Sequence, residues 1–488
     1  LTITARAARN ASAIAVARVI SSGAQFAWQI VLGRALGESL YGVYGAVGAL
    51  FSIGITIASF SLSLIVIREA ARYPDRAGRL WSAALVIQTI TGLIAYVGMV
   101  GAALGYDETL RAFAAIAGLS LFIDSVGTHA SDQLLAQERM VAPSLVEIVH
   151  IGARLSLAAL AVAGGAGLVG VYAATLIAGV GRSVAMTVLL WRTGVRPHFP
   201  ADRATTLALL RDSAPLTLYA FIGMTYTQID RLLTSATLTD ADVGHLTAAM
   251  VIVIGAVEIL NTTLLVAVYP ILSRAADAAG DALRAITVRL ASYTLLIAVP
   301  MWLVFALFAP ALIVPLFGAR YAPAAEILRV LMGFAALTMI ANVYAQAMFA
   351  QNRQRRLVVF RVVGLLIKLT LTLILLPRVG VVGAAGASLV SEMVVLALLL
   401  RDFRPDARAA LPRLARLAVA AGVTAAVMTL AGMVHPFVGM AVGAGVYALA
   451  IAYGRILAPD DPALLWRLAS SLPGVGRLTR MVRGSRDG

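Results

Sequence analysis

The chain has 488 residues, of which 60% are hydrophobic and only 13% charged, about half the charged share of an ordinary soluble domain. That excludes a soluble globular protein and predicts an all-α polytopic membrane protein. The formal charge of +15 does not point to nucleic acid, because the arginines fall in short loops between apolar spans rather than on one face or in one arm.

About fourteen apolar segments reach spanning length. They lie near residues 10–33, 41–67, 80–104, 110–135, 143–164, 168–191, 206–236, 243–272, 285–309, 324–350, 357–377, 381–400, 412–433 and 437–457. The first is long, carries Arg18 and lacks a small-residue cleavage site, so a span is expected there rather than a signal peptide. With the N-terminus placed inside, 29 of the 39 basic residues fall in inside segments, four in outside loops and six within spans. This bias predicts an inner-membrane protein with an even number of spans and both termini cytoplasmic. Ile313–Gly318 is too short to span and reads as a re-entrant or outer-surface segment. Pro215, Pro270 and Pro300 are expected to bend their spans.

The chain contains a repeat. At an offset of 214 residues, Ala136-Gln137-Glu138-Arg139 falls on Ala350-Gln351-Asn352-Arg353, and Arg154-Leu155-Ser156-Leu157 falls on Lys368-Leu369-Thr370-Leu371. One residue fewer aligns Gly167-Leu-Val-Gly170 with Gly380-Val-Val-Gly383. Each copy is an Arg-bearing loop, an apolar helix with one cation in its middle, a glycine turn and a second apolar helix. Such a period indicates duplication into two lobes. The expected organisation is an N-terminal lobe over 1–192, a cytoplasmic linker over 193–205, a second lobe over 206–400, two further spans over 401–457, and a basic tail over 458–488. Leu464–Leu472 in that tail reads either as a surface-lying amphipathic helix or as a solvated basic end.

Charges inside a bilayer are costly unless they face a partner or a wet cavity, so the polar stripes mark candidate functional faces. Arg18, Ser21 and Gln25 share one helical face. So do Glu147, His150 and Arg154, and so do Tyr219, Tyr226 and Asp230. Asp124, Thr128 and Asp132 recur at the repeat offset as Thr338, Asn342 and Gln346. Arg154 and Lys368 each lie about eleven residues into a span, about 16 Å deep, close to half of a hydrocarbon core about 30 Å thick. Glu147 or an acid on another helix is the expected structural partner for such a cation. Arg182, Arg231 and Arg329 lie nearer span ends and could snorkel. Asp124, Glu258 and Glu392 are the acidic candidates at mid-depth, each suited to neutralising an arginine or to binding H⁺ or Na⁺. Cysteine is absent and the five histidines are scattered, so neither disulfides nor a metal centre are expected. There is no Walker loop, no cofactor is expected, and the loops are too short to build an enzyme active site.

Gly33-Arg34-Ala-Leu-Gly37 followed by Tyr41-Gly42-Val-Tyr44 resembles the first turn of the polysaccharide-type flippases of the MOP (multidrug/oligosaccharidyl-lipid/polysaccharide) exporter superfamily. Gln228-Ile-Asp230-Arg231, Val243-Gly244 and Tyr269-Pro270-Ile-Leu-Ser273-Arg274 resemble the start of their second lobe. Gly380-Val-Val-Gly383-Ala-Ala-Gly-Ala387 resembles a later turn. The resemblance covers about residues 5–400. It implies two six-helix pseudo-symmetric lobes forming a V-shaped alternating-access transporter, plus two C-terminal helices, and a polyprenyl-diphosphate-linked oligosaccharide as substrate. Arg18, Gln25, Arg154, Lys368, Asn342 and Tyr226 are then the expected substrate-binding residues, with Asp124, Glu258 and Glu392 as ion-coupling candidates. The expected partners are the lipid-linked glycan, membrane lipids, and a glycan polymerase or glycosyltransferases; a monomer is expected. Two alternatives belong to the same superfamily. Fourteen spans also resemble the peptidoglycan-precursor flippases. An ion-coupled multidrug antiporter would want the acidic site in the first span, where this chain has Arg18 instead. A non-transporting scaffold leaves the buried cations without a purpose.

Overall fold

The computed structural model describes residues 3–277, 281–403 and 407–454, with side chains described for 20–257, Leu272, 283–403 and 411–454. These residues form helices and no strand. In order they are α1 (Ile3–Ser59), α2 (Leu62–Arg72), α3 (Ala77–Ala103), α4 (Glu108–Gly118), α5 (Ser120–Ala136), α6 (Val141–Ala163), α7 (Gly167–Trp191) and α8 (Arg203–Thr237). They continue with α9 (Asp240–Asp277), α10 (Asp281–Phe317), α11 (Ala324–Ala350), α12 (Gln354–Val379), α13 (Val381–Phe403), α14 (Ala407–Gly432) and α15 (Pro436–Tyr453). The side chains of Arg18 and Glu258, and all of the basic tail beyond Gly454, lie outside the described residues.

Twelve candidate membrane spans occur among the described residues. The first runs over 53 residues from Ile20 to Arg72, too long for one crossing, and Gly37 interrupts it with φ 73° and ψ 174°. It therefore holds two passes. The long helix α8 is not among the twelve; its polar residues dilute its hydropathy. With those two points taken together the expected fourteen passes are accounted for. Segment Ile313–Gly318 is not a separate element: it is the end of α10, which bends at Phe308 (φ −120°, ψ 20°) and stops at Gly318 (φ 102°). The recorded break in α10 thus falls at Phe308, two residues before Pro310 and a full two turns beyond Pro300, because a proline disrupts the turn that precedes it.

The chain divides into two compact units, 1–247 and 248–488. This division by packing falls within α9. The cause lies in α8, which packs against α1, α2 and α3: Leu209 joins a core with Leu62, Ile65, Val66, Leu80 and Ile87, and the Tyr106 hydroxyl donates to the Leu232 carbonyl at 3.1 Å. Val243 at the start of α9 sits in a second core with Val43, Val47, Leu110 and Tyr172.

The duplication appears atom by atom. Glu138 and Asn352, 214 residues apart, both adopt φ 57°. In the first copy the N–H of Glu138 donates to Leu135 and that of Arg139 to Leu134; in the second, Asn352 donates to Phe349 and Arg353 to Met348. These bonds satisfy the last carbonyls of α5 and α11 in the same way. Across the following hairpins, His150 Nδ1 donates to the Ala178 carbonyl at 3.1 Å, and at the matching positions the Ser391 hydroxyl donates to the Gly364 carbonyl at 2.6 Å. The bond links the same two places in each hairpin, with the donor on opposite helices.

Candidate functional site

In the first unit, α5, α6 and α7 bring five ionisable side chains together. The glycine turn at 164–167 folds α7 back along α6, and Gly179 leaves room for α5: a Cβ there would meet Asp124 Oδ1 at 3.2 Å. The helical periodicity of α6 sets Glu147, His150 and Arg154 on one face. Arg182 on α7 closes the cluster. Its Nη2 lies 2.6 Å from Glu147 Oε1 and its Nε 2.7 Å from the same oxygen; its Nη1 donates to the Thr128 hydroxyl at 3.4 Å. The expected partner of Arg154, Glu147, is therefore taken by Arg182. Glu147 precedes Arg154 by seven residues, about two helical turns, so the acid meets α7 nearer the start of α6 than Arg154 lies.

Arg154 is half-buried and makes no hydrogen bond or ion pair among the described residues. Its charge, with those of Arg182 and His150, acts on Asp124. Asp124 is half-buried. The cluster can therefore offer an anion one cationic fork, with an acid close by to modulate it.

The second unit repeats the place and changes the charges. Arg361 stands where the first copy has Glu147, and its Nη1 lies 3.1 Å from Glu392 Oε2 on α13. Glu392 is fully buried and stands where the first copy has Gly179. The ion pair across the hairpin is thus reversed in polarity: acid on the first helix and base on the second in one copy, base first and acid second in the other. Lys368, the counterpart of Arg154, is 1% exposed, with its Nζ 5.7 Å from the centre of the Phe334 ring, a cation–π arrangement. Thr338, the counterpart of Asp124, is uncharged.

The remaining candidates are dispersed. Gln25 is exposed on α1, Tyr226 is buried on α8, and Asn342 is half-buried on α11. Of the acidic candidates, Asp124 belongs to the first cluster and Glu392 is held by Arg361. Arg329 is bound to Glu326. Arg182 and Arg231 are not snorkelling: the Arg182 side chain is 13% exposed and Arg231 is buried. Reading the repeat for charge as well as for register exposes part of this, since Glu147 on Arg361 is a reversal that needs a reversed partner.

The described residues thus carry two related helical hairpins, each with a cation midway along its first helix. The family model of the polysaccharide biosynthesis proteins matches residues 7–276, more than half of the chain, and the protein belongs to that family. No curated protein sequence matches it. Among solved structures, it is similar to the Lipid II flippase MurJ in an inward closed conformation, with TM-score 0.71 and 12% identity over 89% of this chain and 97% of that one. It is also similar to an inward-facing multidrug resistance MATE family transporter of the MOP superfamily, with TM-score 0.62 and 15% identity over 79% of this chain and 94% of that one. A Vibrio cholerae MATE transporter, VcmN, matches with TM-score 0.53 and 15% identity over 84% and 99%. At these identities the likeness is one of fold.

Proposed function

We propose that the protein is a flippase that carries a polyprenyl-diphosphate-linked oligosaccharide across the cytoplasmic membrane by alternating access, for exopolysaccharide, capsule or O-antigen synthesis. The observation that supports this most is Arg154. An arginine in the middle of a spanning helix, with its neighbouring acid already bound to Arg182, costs stability and has no packing role to offset that cost. A diphosphate is the ligand its guanidinium suits best, through paired charge-assisted hydrogen bonds. Lys368 serves the anionic group in the second repeat, and Arg18, Gln25, Asn342 and Tyr226 complete the substrate-binding set with groups suited to phosphate and sugar hydroxyls. The prenyl tail stays in lipid.

Asp124 is the proposed coupling residue for H⁺ or Na⁺. Neutralising it would release the field it exerts on Arg154 and strengthen that arginine's hold on phosphate. Glu258 is the second candidate. Glu392, locked to Arg361, is the least free to exchange an ion. The protein acts without a cofactor, as a monomer with both termini in the cytoplasm, beside the glycosyltransferases and polymerase that make and use its substrate.

The experiment is deletion of the gene followed by analysis of lipid-linked glycans by leaflet. Accumulation on the inner leaflet, reversed by the wild-type gene and not by Arg154→Ala expressed at the same level, supports the reading. Normal glycan export in the deletion strain sinks it. Peptidoglycan-precursor transport is the second reading, favoured by a fold likeness to MurJ that covers nearly all of that chain; rescue of a strain depleted of its precursor flippase would select it.

A further inference from the structure

The hairpin of α14 and α15 stands outside the duplication, and the mechanism above gives it no part. α15 carries no charged side chain and α14 none beyond Arg416, so the hairpin offers nothing in mid-membrane to an anionic headgroup. Its two helices pack on each other and on α10. Leu303 and Phe308 of α10 share a core with Met428 of α14, and Ala421, Ala425 and Met440 pack against it.

The hairpin holds α10 at two irregular places. The first is Pro300. A proline has no N–H, so the carbonyl four residues earlier, that of Leu296, loses its helical donor. The Tyr447 hydroxyl of α15 donates to that carbonyl at 3.0 Å. It replaces the missing bond where the bilayer supplies no water to do so. The second place is Phe308, where φ −120° and ψ 20° interrupt the helix. The Phe308 ring sits in a notch that two glycines leave beside the α14–α15 turn. A Cβ on Gly432 would lie 2.6 Å from the ring, and one on Gly439 2.7 Å. In the first copy, the element at the corresponding place is α3, which contains no proline and needs no such donor.

Between these two contacts, α10 bears on the second-repeat cation. The Trp302 indole lies against Gly333 of α11, with its Nε1 3.4 Å from where a Cβ would stand. The next residue, Phe334, carries the ring that Lys368 Nζ faces at 5.7 Å. A change in the bend of α10 therefore moves Trp302 against the turn of α11 that covers Lys368. We propose that α14–α15 is a brace that fixes the bend of α10 through Tyr447 and the Phe308 notch, and so keeps Phe334 seated over Lys368. Tyr447 is a positioning residue for that cation and acts on it through α10 and α11. The part of Lys368 in substrate binding rests on the flippase reading given above; the brace itself is tested without substrate.

The test uses the single lysine of the chain, which is Lys368. The full chain is placed in phosphatidylcholine nanodiscs and acylated with water-soluble sulfosuccinimidyl acetate, well below its melting temperature. Peptide mass spectrometry separates the Lys368 adduct from that of the N-terminal amine. The wild type should label slowly, since Lys368 is 1% exposed. Tyr447→Phe should speed labelling about fivefold, the factor that one net hydrogen bond corresponds to. Pro300→Ala returns an N–H to the Leu296 carbonyl, so adding Tyr447→Phe to Pro300→Ala should change nothing further. Thr91→Val removes a buried bond to the Ala58 carbonyl in the first unit and should leave the Lys368 rate as it was. An unchanged rate in Tyr447→Phe overturns the proposal, even with a lowered melting temperature, because the bond would then be a clasp and no more. Equal acceleration by Thr91→Val overturns it too, since Lys368 would be reporting general loosening. So does acceleration by Tyr447→Phe that persists beside Pro300→Ala, because the tyrosine would not be acting through the freed carbonyl. Polyprenyl diphosphate added to the wild type should slow labelling. If it does not, the substrate reading of Lys368 fails, while the rates without ligand still decide the brace.

Discussion

Arg154 and Arg182 are both cations within spans of one hairpin, and their surroundings predict opposite phenotypes. Removing Arg182 strands Glu147, because the pair at 2.6 Å is the acid's recorded partner. The loss of stability should fall below the roughly 3–5 kcal/mol of a fully buried pair, since the Glu147 side chain keeps 33% exposure. Arg182→Ala should therefore lower melting temperature and expression, and Arg182→Ala with Glu147→Ala should recover much of both. Arg154→Ala should leave them unchanged and reduce transport at least tenfold, with Arg154→Lys intermediate because charge survives without the fork. Thermal melts and transport measured on the same preparations decide this; a destabilised Arg154→Ala would show that the arginine is structural. Outside the membrane, Asp202 supplies a pH-dependent contact. It caps α8, accepting from the Thr205 N–H at 2.9 Å and from the Thr205 hydroxyl. The hydroxyl bond first, then the backbone bond, hold its carboxyl below the usual carboxylate range. The folded value is the lower one, so the stabilisation is present above about pH 4, the unfolded value, and is lost as pH falls through the folded value. Asp202→Asn keeps an acceptor that does not titrate, so the acid limb of its melting profile should be flatter than that of the parent. Identical profiles would remove the cap from the account. Much of this was legible in the sequence: the stripe of Glu147, His150 and Arg154 is visible in one dimension. Which base takes Glu147 was not, because that depends on how α7 returns along α6.

At the scale of elements, the loop shared by the two copies gives a test that needs no transport assay. Glu138 and Asn352 occupy the same left-handed position, φ 57°. A side chain with a Cβ pays about 1–2 kcal/mol there, and asparagine tolerates it better than most. Glu138→Gly should therefore stabilise the protein by up to about 1 kcal/mol, and Asn352→Gly by only a few tenths. Valine at either site should destabilise it by more than the glycine gains. Equal responses to glycine in differential scanning would show that the two loops are not under the same constraint. The repeat made this loop visible in advance, through Ala-Gln-Glu-Arg and Ala-Gln-Asn-Arg, and hydropathy placed the spans. Two features escaped. The polar helix α8 hides its spanning character, because Asp230, Arg231 and Thr234 are buried against other helices rather than against lipid. The break in α10 falls at Phe308 rather than at Pro300, in the turn that precedes Pro310.

At the scale of the whole molecule, sequence and packing draw the boundary in different places, and both have a cause. The repeat begins its second copy with α8, while packing assigns α8 and the first turns of α9 to the unit that ends at Thr247. Topology tests the frame on which this depends. The arginine distribution, 29 inside against four outside, needs an even number of passes, and counting the interrupted first span as two and adding α8 takes the twelve candidate spans to fourteen, which keeps it even. Reporter fusions should accordingly find residues 193–202, between α7 and α8, on the same side as both termini. Fusions at Gly165, in the turn between α6 and α7, and at Gly380, between α12 and α13, should report the opposite side. The two turns are equivalent by the repeat, so they must agree with each other whatever the absolute orientation. A result that puts Gly165 and Gly380 on different sides would invert one copy relative to the other.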